Sequence, residues 1–110
     1  VLFSSDAPVC DPSPLVGIHA AVTRQRRDGT PAGGWYPEQR ISVEDAVQGY
    51  TSVPAAFYGQ SRALGTLTPG KRADMAVLDR DIFQVDPMEI ADARVEMTIF
   101  DGRIVYRSRS

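Results

Sequence analysis

Little in this sequence supports cross-linking or metal capture from within. Of its 110 residues, one is cysteine, Cys10, and one is histidine, His19. A single thiol excludes an intramolecular disulfide and fits a reducing, cytoplasmic setting. A single imidazole means that no histidine metal site can be completed inside this chain. No apolar run approaches the roughly 20 residues that span a bilayer, and no signal-peptide pattern is present, so no membrane partner is expected. Charge of one sign is scarce as well. The formal net charge is −2, and no like-charged block exceeds Arg24-Gln25-Arg26-Arg27, which argues against a nucleic-acid partner. Internal repeats and low-complexity segments are absent.

What is present is organised around Leu64 to Asp79. Pro69 fixes φ for the first corner of a turn, and Gly70 supplies the positive φ that a type II turn needs at its second. After it, Ala73 to Leu78 carries apolar residues on both side-chain parities, the pattern of a strand buried on both faces. Asp74 interrupts that run, and a carboxylate there must find donors or cost several kcal/mol. Backbone amides and the Lys71/Arg72 pair are the local candidates.

Before this stretch the chain is helical. Val1 to Phe3 is expected as a buried strand with Ser4-Ser5-Asp6 as its polar exit. Pro8 and Pro12 keep the following loop extended. Ser13 as N-cap and Pro14 at the first position start a helix that places Leu15, Ile18, His19 and Val22 on one face. Asp28 to Arg40, rich in glycine and proline, is a long loop with Trp35-Tyr36 packed near its centre. Ser42 caps a second helix with Glu44 and Asp45 in its first turn and Val43, Ala46, Val47 and Tyr50 as its buried stripe. Pro54 lies early in a third short helix, stopped at Gly59.

Beyond the stretch, Pro87 to Ile90 predicts a helical turn. Arg94 to Phe100 alternates, Asp101-Gly102 is a two-residue hairpin signal, and Arg103 to Tyr106 is the returning strand. A chain that opens on an apolar strand without methionine is expected to be the C-terminal piece of a longer protein.

Asp6 is the leading candidate for chemistry. A carboxylate at a strand end can ligate a divalent cation or accept a proton from bound water. The competing reading is a loop cap that bonds backbone N–H groups. His19, on an apolar stripe, is expected as a packed, hydrogen-bonded core residue. Cys10, with no base beside it, is expected as an inert thiol lining a pocket. Trp35 and Tyr36 fit substrate closure and loop packing equally. Lys71 and Arg72 are expected as solvated turn residues, Asp74 as structural, and Asp79 and Asp101 as strand-end and turn residues.

The wording Gly65-x-Leu67-x-x-Gly70-Lys71-x-Ala73-Asp74-x-Ala76-Val77-Leu78-Asp79, followed by Val95-x-x-Thr98-Ile99-x-Asp101-Gly102-x-Ile104-Val105-Tyr106, resembles the C-terminal end of the amidohydrolase superfamily, family 3 type. Phe3-Ser4-Ser5-Asp6-Ala7-Pro8-Val9 matches the end of that family's last barrel strand. The resemblance implies an α/β chain: residues 1–62 as the last strand and helices of a metal-dependent (β/α)8 barrel, and residues 63–110 as a strand-rich part of a small β-sandwich. It implies hydrolysis of a non-peptide C–N bond in a small-molecule substrate by metal-activated water. It also implies a divalent metal, zinc, in the longer parent, with Asp6 as both metal ligand and catalytic proton acceptor. The family's metal histidines lie on earlier strands, and none maps onto His19, so the fragment alone is expected to be inactive and to bind no metal. The exposed N-terminal strand is further expected either to self-associate or to re-pack against the chain's own helices. The alternative is a stand-alone, non-catalytic β-rich structural or interaction domain.

Overall fold

The computed structural model describes residues 1–109. Helix α1 spans Pro14–Thr23. Ser13 holds the N-cap position but makes no side-chain capping bond; its own N–H donates to Asp11 Oδ1 at 2.8 Å instead. The helix ends at Arg24, which adopts a left-handed φ of 58°. Helix α2 is Val43–Tyr50, and Ser42 Oγ caps it by accepting the Asp45 N–H at 3.0 Å. After the single residue Thr51, α3 runs Ser52–Phe57, with Pro54 early in it as the sequence suggests. It closes as a Schellman motif: Gly59 at φ 71° lets Gly59 N–H reach Ala56 O and Gln60 N–H reach Ala55 O.

The Pro69-Gly70 turn is as expected, with Gly70 at φ 97° and Lys71 N–H donating to Thr68 O. Three strands follow, β1 Met75–Leu78, β2 Val95–Phe100 and β3 Arg103–Arg107. They form one antiparallel sheet in the order β1-β2-β3. Each of its two ladders carries one register shift, at Val77/Leu78 and at Thr98/Ile99. Asp101 and Gly102 both take positive φ, the signature of a type I′ hairpin. Pro87–Asp92 is a 3-10 helix capped by Asp86, whose carboxylate accepts the Met88 N–H.

Two expectations are corrected. Val1 to Phe3 is not a strand. Its contact is with α2, where Phe3 N–H donates to Gly49 O and the Phe3 ring stacks on Tyr50 at 5.1 Å. Strand pairing needs a neighbour, and α2 offers that segment a carbonyl and a ring instead. Nor is β1 buried on both faces, since Ala76 and Val77 are exposed, Val77 at 40%. An apolar residue on both parities fits double burial only where a second layer covers the strand.

The core is small and joins the helical and strand-rich parts. Ile18 of α1 and Ala46 of α2 pack with Ile82, Ile90 and Ala93, flanked by Phe3, Leu15, Val22, Tyr50 and Leu78. The accessible surface of 7845 Å² exceeds the roughly 6000 Å² expected for a compact monomer of this mass. Part of that exposed surface is on the sheet, where Phe100, Ile104, Val105 and Tyr106 are all exposed.

Candidate functional site

Phe3 is the anchor from which Asp6 projects. With Phe3 held on α2, Ser4 and Ser5 lead out to Asp6, which takes a left-handed φ of 54°. Its N–H donates to Ser4 Oγ at 3.4 Å, and its carbonyl accepts the Val9 N–H at 3.0 Å, closing a turn. Aspartate tolerates this conformation better than most residues.

The Asp6 carboxylate is exposed and accepts no hydrogen bond among the described residues. It shares that state with the Asp45 and Asp101 carboxylates among the described residues, and differs from six others. Asp11, Asp28, Asp74, Asp79, Asp81 and Asp86 each accept a backbone N–H. Those aspartates do structural work, and the loop-cap reading of Asp6 finds no bond to rest on.

A metal ion needs several donors converging on it. Among the described residues no group of three or more His, Cys, Asp or Glu side chains is placed to hold one. Asp6 could serve as a single oxygen ligand, and a donor set that used it would need partners beyond the described residues.

His19 is buried, at 2% exposure, on the α1 stripe. Its Nε2 has no hydrogen-bond partner, so the expected bonded imidazole is corrected to a packed one with an unsatisfied nitrogen. Burial is the main cause holding its pKa below the ordinary value of 6.5, reinforced by Arg27 and opposed by Asp92. Arg27 and Asp92 form an exposed ion pair at 3.0 Å across the α1–3-10 helix contact. Cys10 is exposed and lines no cavity together with Asp6.

Trp35 and Tyr36 are not packed into the loop as expected. They meet edge to face at 4.9 Å and stay 62% and 57% exposed. Trp35 is held by Arg24, whose Nε donates to Trp35 O at 2.9 Å while its guanidinium lies over the ring at 5.1 Å. The sequence signal for this clamp was an arginine at a helix end and a lone tryptophan eleven residues on. Only the left-handed turn at Arg24 brings them together. Lys71 Nζ reaches Leu64 O at 3.5 Å, so it is half-buried rather than solvated.

This mixed helix-and-strand fold has a solved counterpart. It superposes on an amidohydrolase from Thermotoga maritima MSB8 with a TM-score of 0.64 and 24% identity, over 94% of this chain and 22% of the other. The amidohydrolase family model, of the family 3 type, matches residues 1–106, and the chain belongs to that family. YtcJ of Bacillus subtilis (strain 168) is 30% identical across 93% of this chain. The N-substituted formamide deformylase of Arthrobacter pascens is 32% identical across 96%. The chain spans about a fifth of the length of these curated relatives, 19% of each.

Proposed function

We propose that this chain is the C-terminal part of a metal-dependent amidohydrolase that hydrolyses a non-peptide C–N bond in a small molecule. In this reading residues 1–62 complete a (β/α)8 barrel, and residues 63–110 belong to a small β-sandwich. The observation that carries it is Asp6: an exposed carboxylate, unspent on the fold, in the segment where the family resemblance puts a metal-site aspartate. The deformylase relative, by its name, acts on an N-substituted formamide, which supports a C–N bond as the target class.

The role of this chain's residues follows from their geometry. Phe3 and the Ser4–Val9 turn hold the backbone from which the carboxylate projects. Asp6 serves as one oxygen ligand and takes the proton released as water attacks the carbonyl carbon. A divalent cation, zinc in this proposal, would be held in part by Asp6 and would supply acidity to a water and polarisation to the carbonyl. The exposed faces of β1 and β3 pack against other parts of the parent. Because this chain offers one ligand, it is inactive alone. The lone cysteine accords with a cytoplasmic location, and among the described residues no helix is long and apolar enough to cross a membrane.

The test is kcat of the longer protein, wild type against Asp6→Asn, with metal content assayed in parallel. Loss of a general base costs about 10²–10⁴-fold, and weaker metal retention adds to it. Far-UV circular dichroism should be unchanged, since no fold contact uses this carboxylate. Activity within about threefold of wild type, well short of that range, sinks the assignment.

A further inference from the structure

A cavity of about 520 Å³ opens where α1 ends, lined by Arg24, Gln25, Arg26, Thr30, Pro31 and Trp35. Its walls carry two arginines from the loop that follows α1. Neither Arg24 nor Arg26 has a carboxylate partner among the described residues, whereas Arg27 pairs with Asp92 and Arg80 with Asp79. Arg24 spends only Nε, on Trp35 O, so both terminal nitrogens remain without a protein acceptor. Arg26 makes no side-chain hydrogen bond. The nearest competitor is Asp28, whose carboxylate feels Arg26 but has its Oδ1 committed to the Thr30 N–H and hydroxyl.

The walls are also held in place. Arg26 N–H donates to Thr30 O at 2.7 Å, Trp35 N–H to Arg24 O at 2.8 Å, and Gly34 N–H to Pro31 O at 2.9 Å. Gln25 Nε2 donates to Pro31 O at 3.1 Å, and the Gln25 N–H donates to the hydroxyl of buried Thr23. A cationic concavity fixed before a ligand arrives loses little order on binding. Beside the guanidinium groups lie Pro31 and the Trp35 ring, an apolar wall next to a forked donor that matches an oxyanion.

We propose that this cavity binds a small organic anion, with Arg24 and Arg26 on its carboxylate or phosphate group and Trp35 with Pro31 against its apolar body. The inference does not depend on the hydrolytic reading, because it uses neither Asp6 nor a metal.

Trp35 is the single tryptophan of the chain, so its emission reports the cavity directly. The probes are benzoate, phenyl phosphate, neutral benzamide and inorganic phosphate, titrated into this chain. Benzoate or phenyl phosphate should give a saturable shift to shorter wavelength, and whichever binds more tightly identifies the oxyanion. Arg26→Gln should weaken that binding about three- to fivefold, the scale of an exposed ion pair. The Arg26 backbone bonds to Thr30 and Gly29 do not depend on its side chain, which makes no hydrogen bond or ion pair among the described residues, so this variant should stay folded. Arg24→Lys, which keeps the charge but loses the fork, should weaken it about tenfold. Equal binding of benzamide, equal binding of inorganic phosphate, absence of saturation, or an unchanged Kd in Arg26→Gln each overturns the proposal.

Discussion

The Asp74 carboxylate accepts the backbone N–H of Asp101 at 2.7 Å, bridging twenty-seven positions of sequence. Beside it, Gly102 N–H donates to Ala73 O at 3.0 Å. The two bonds tie the segment entering β1 to the tip of the β2–β3 hairpin. The carboxylate that interrupts an apolar run is therefore the acceptor for a tight turn whose amides face inward.

Asp74→Ala should cost about 1.5–3 kcal/mol, the range for a hydrogen bond to a charged group. Asp74→Asn keeps an acceptor and should lose less. Urea denaturation gives the stabilities, and faster amide exchange at Asp101 locates the damage. A stability change of a few tenths of a kcal/mol in Asp74→Ala, outside that range, contradicts the tie.

Gly17→Ala pits two effects against each other. Helix propensity favours alanine by about 0.5–1 kcal/mol. The new Cβ, however, overlaps the Tyr50 hydroxyl and lies 3.0 Å from its Cζ, and Tyr50 is pinned by its stack on Phe3. Overpacking costs about 1–3 kcal/mol, so the variant should be less stable than wild type. In a Tyr50→Phe background the loss should shrink. Equal losses in both backgrounds would show that the hydroxyl is not the obstacle.

Stability should also fall with acid before the carboxylates titrate. His19 in the folded chain binds its proton less readily than its ordinary value of 6.5 implies, chiefly because it is buried. The unfolded chain therefore takes up that proton first as pH drops. The contribution is complete above about 6.5 and is lost as pH falls through the interval below it. With one histidine in the chain, urea midpoints between about pH 7.5 and 5.5 isolate it. His19→Leu should flatten that slope, and an unchanged slope would assign it elsewhere.

Helix starts and turns were legible because their causes are local. Ser42 with Glu44 and Asp45, Pro69-Gly70 and Asp101-Gly102 each hold their instructions within four residues. The Phe3–Gly49 contact, the donor chosen by Asp74, and the grip of Arg24 on Trp35 were not legible, since each joins residues far apart. The exposure of Val77 was missed for a related reason: a strand's pattern states which faces suit burial, not whether anything covers them. Asp6 was legible as a candidate from its position, but that its carboxylate is left unspent required the hydrogen bonds of the fold to be known.

Self-association should depend on the first two residues. Val1 and Leu2 are exposed while Phe3 is held, leaving a small apolar tip. Sedimentation velocity should show a rise with concentration that Leu2→Asp abolishes. A concentration-independent monomer in the unmodified chain would argue against this.

The two register shifts in the sheet bear on how the chain ages. A bulge bends its strand and adds local twist, and here both ladders of β2 are interrupted. Of the sheet's two edge strands, β1 and β3, the latter is further bracketed by Arg103 and Arg107. A coiled ribbon with cationic ends is a poor template for cross-β growth, which needs flat, uncharged, in-register strands. Ile104, Val105 and Tyr106 are exposed on that edge, and aggregates grown through it should be amorphous rather than amyloid.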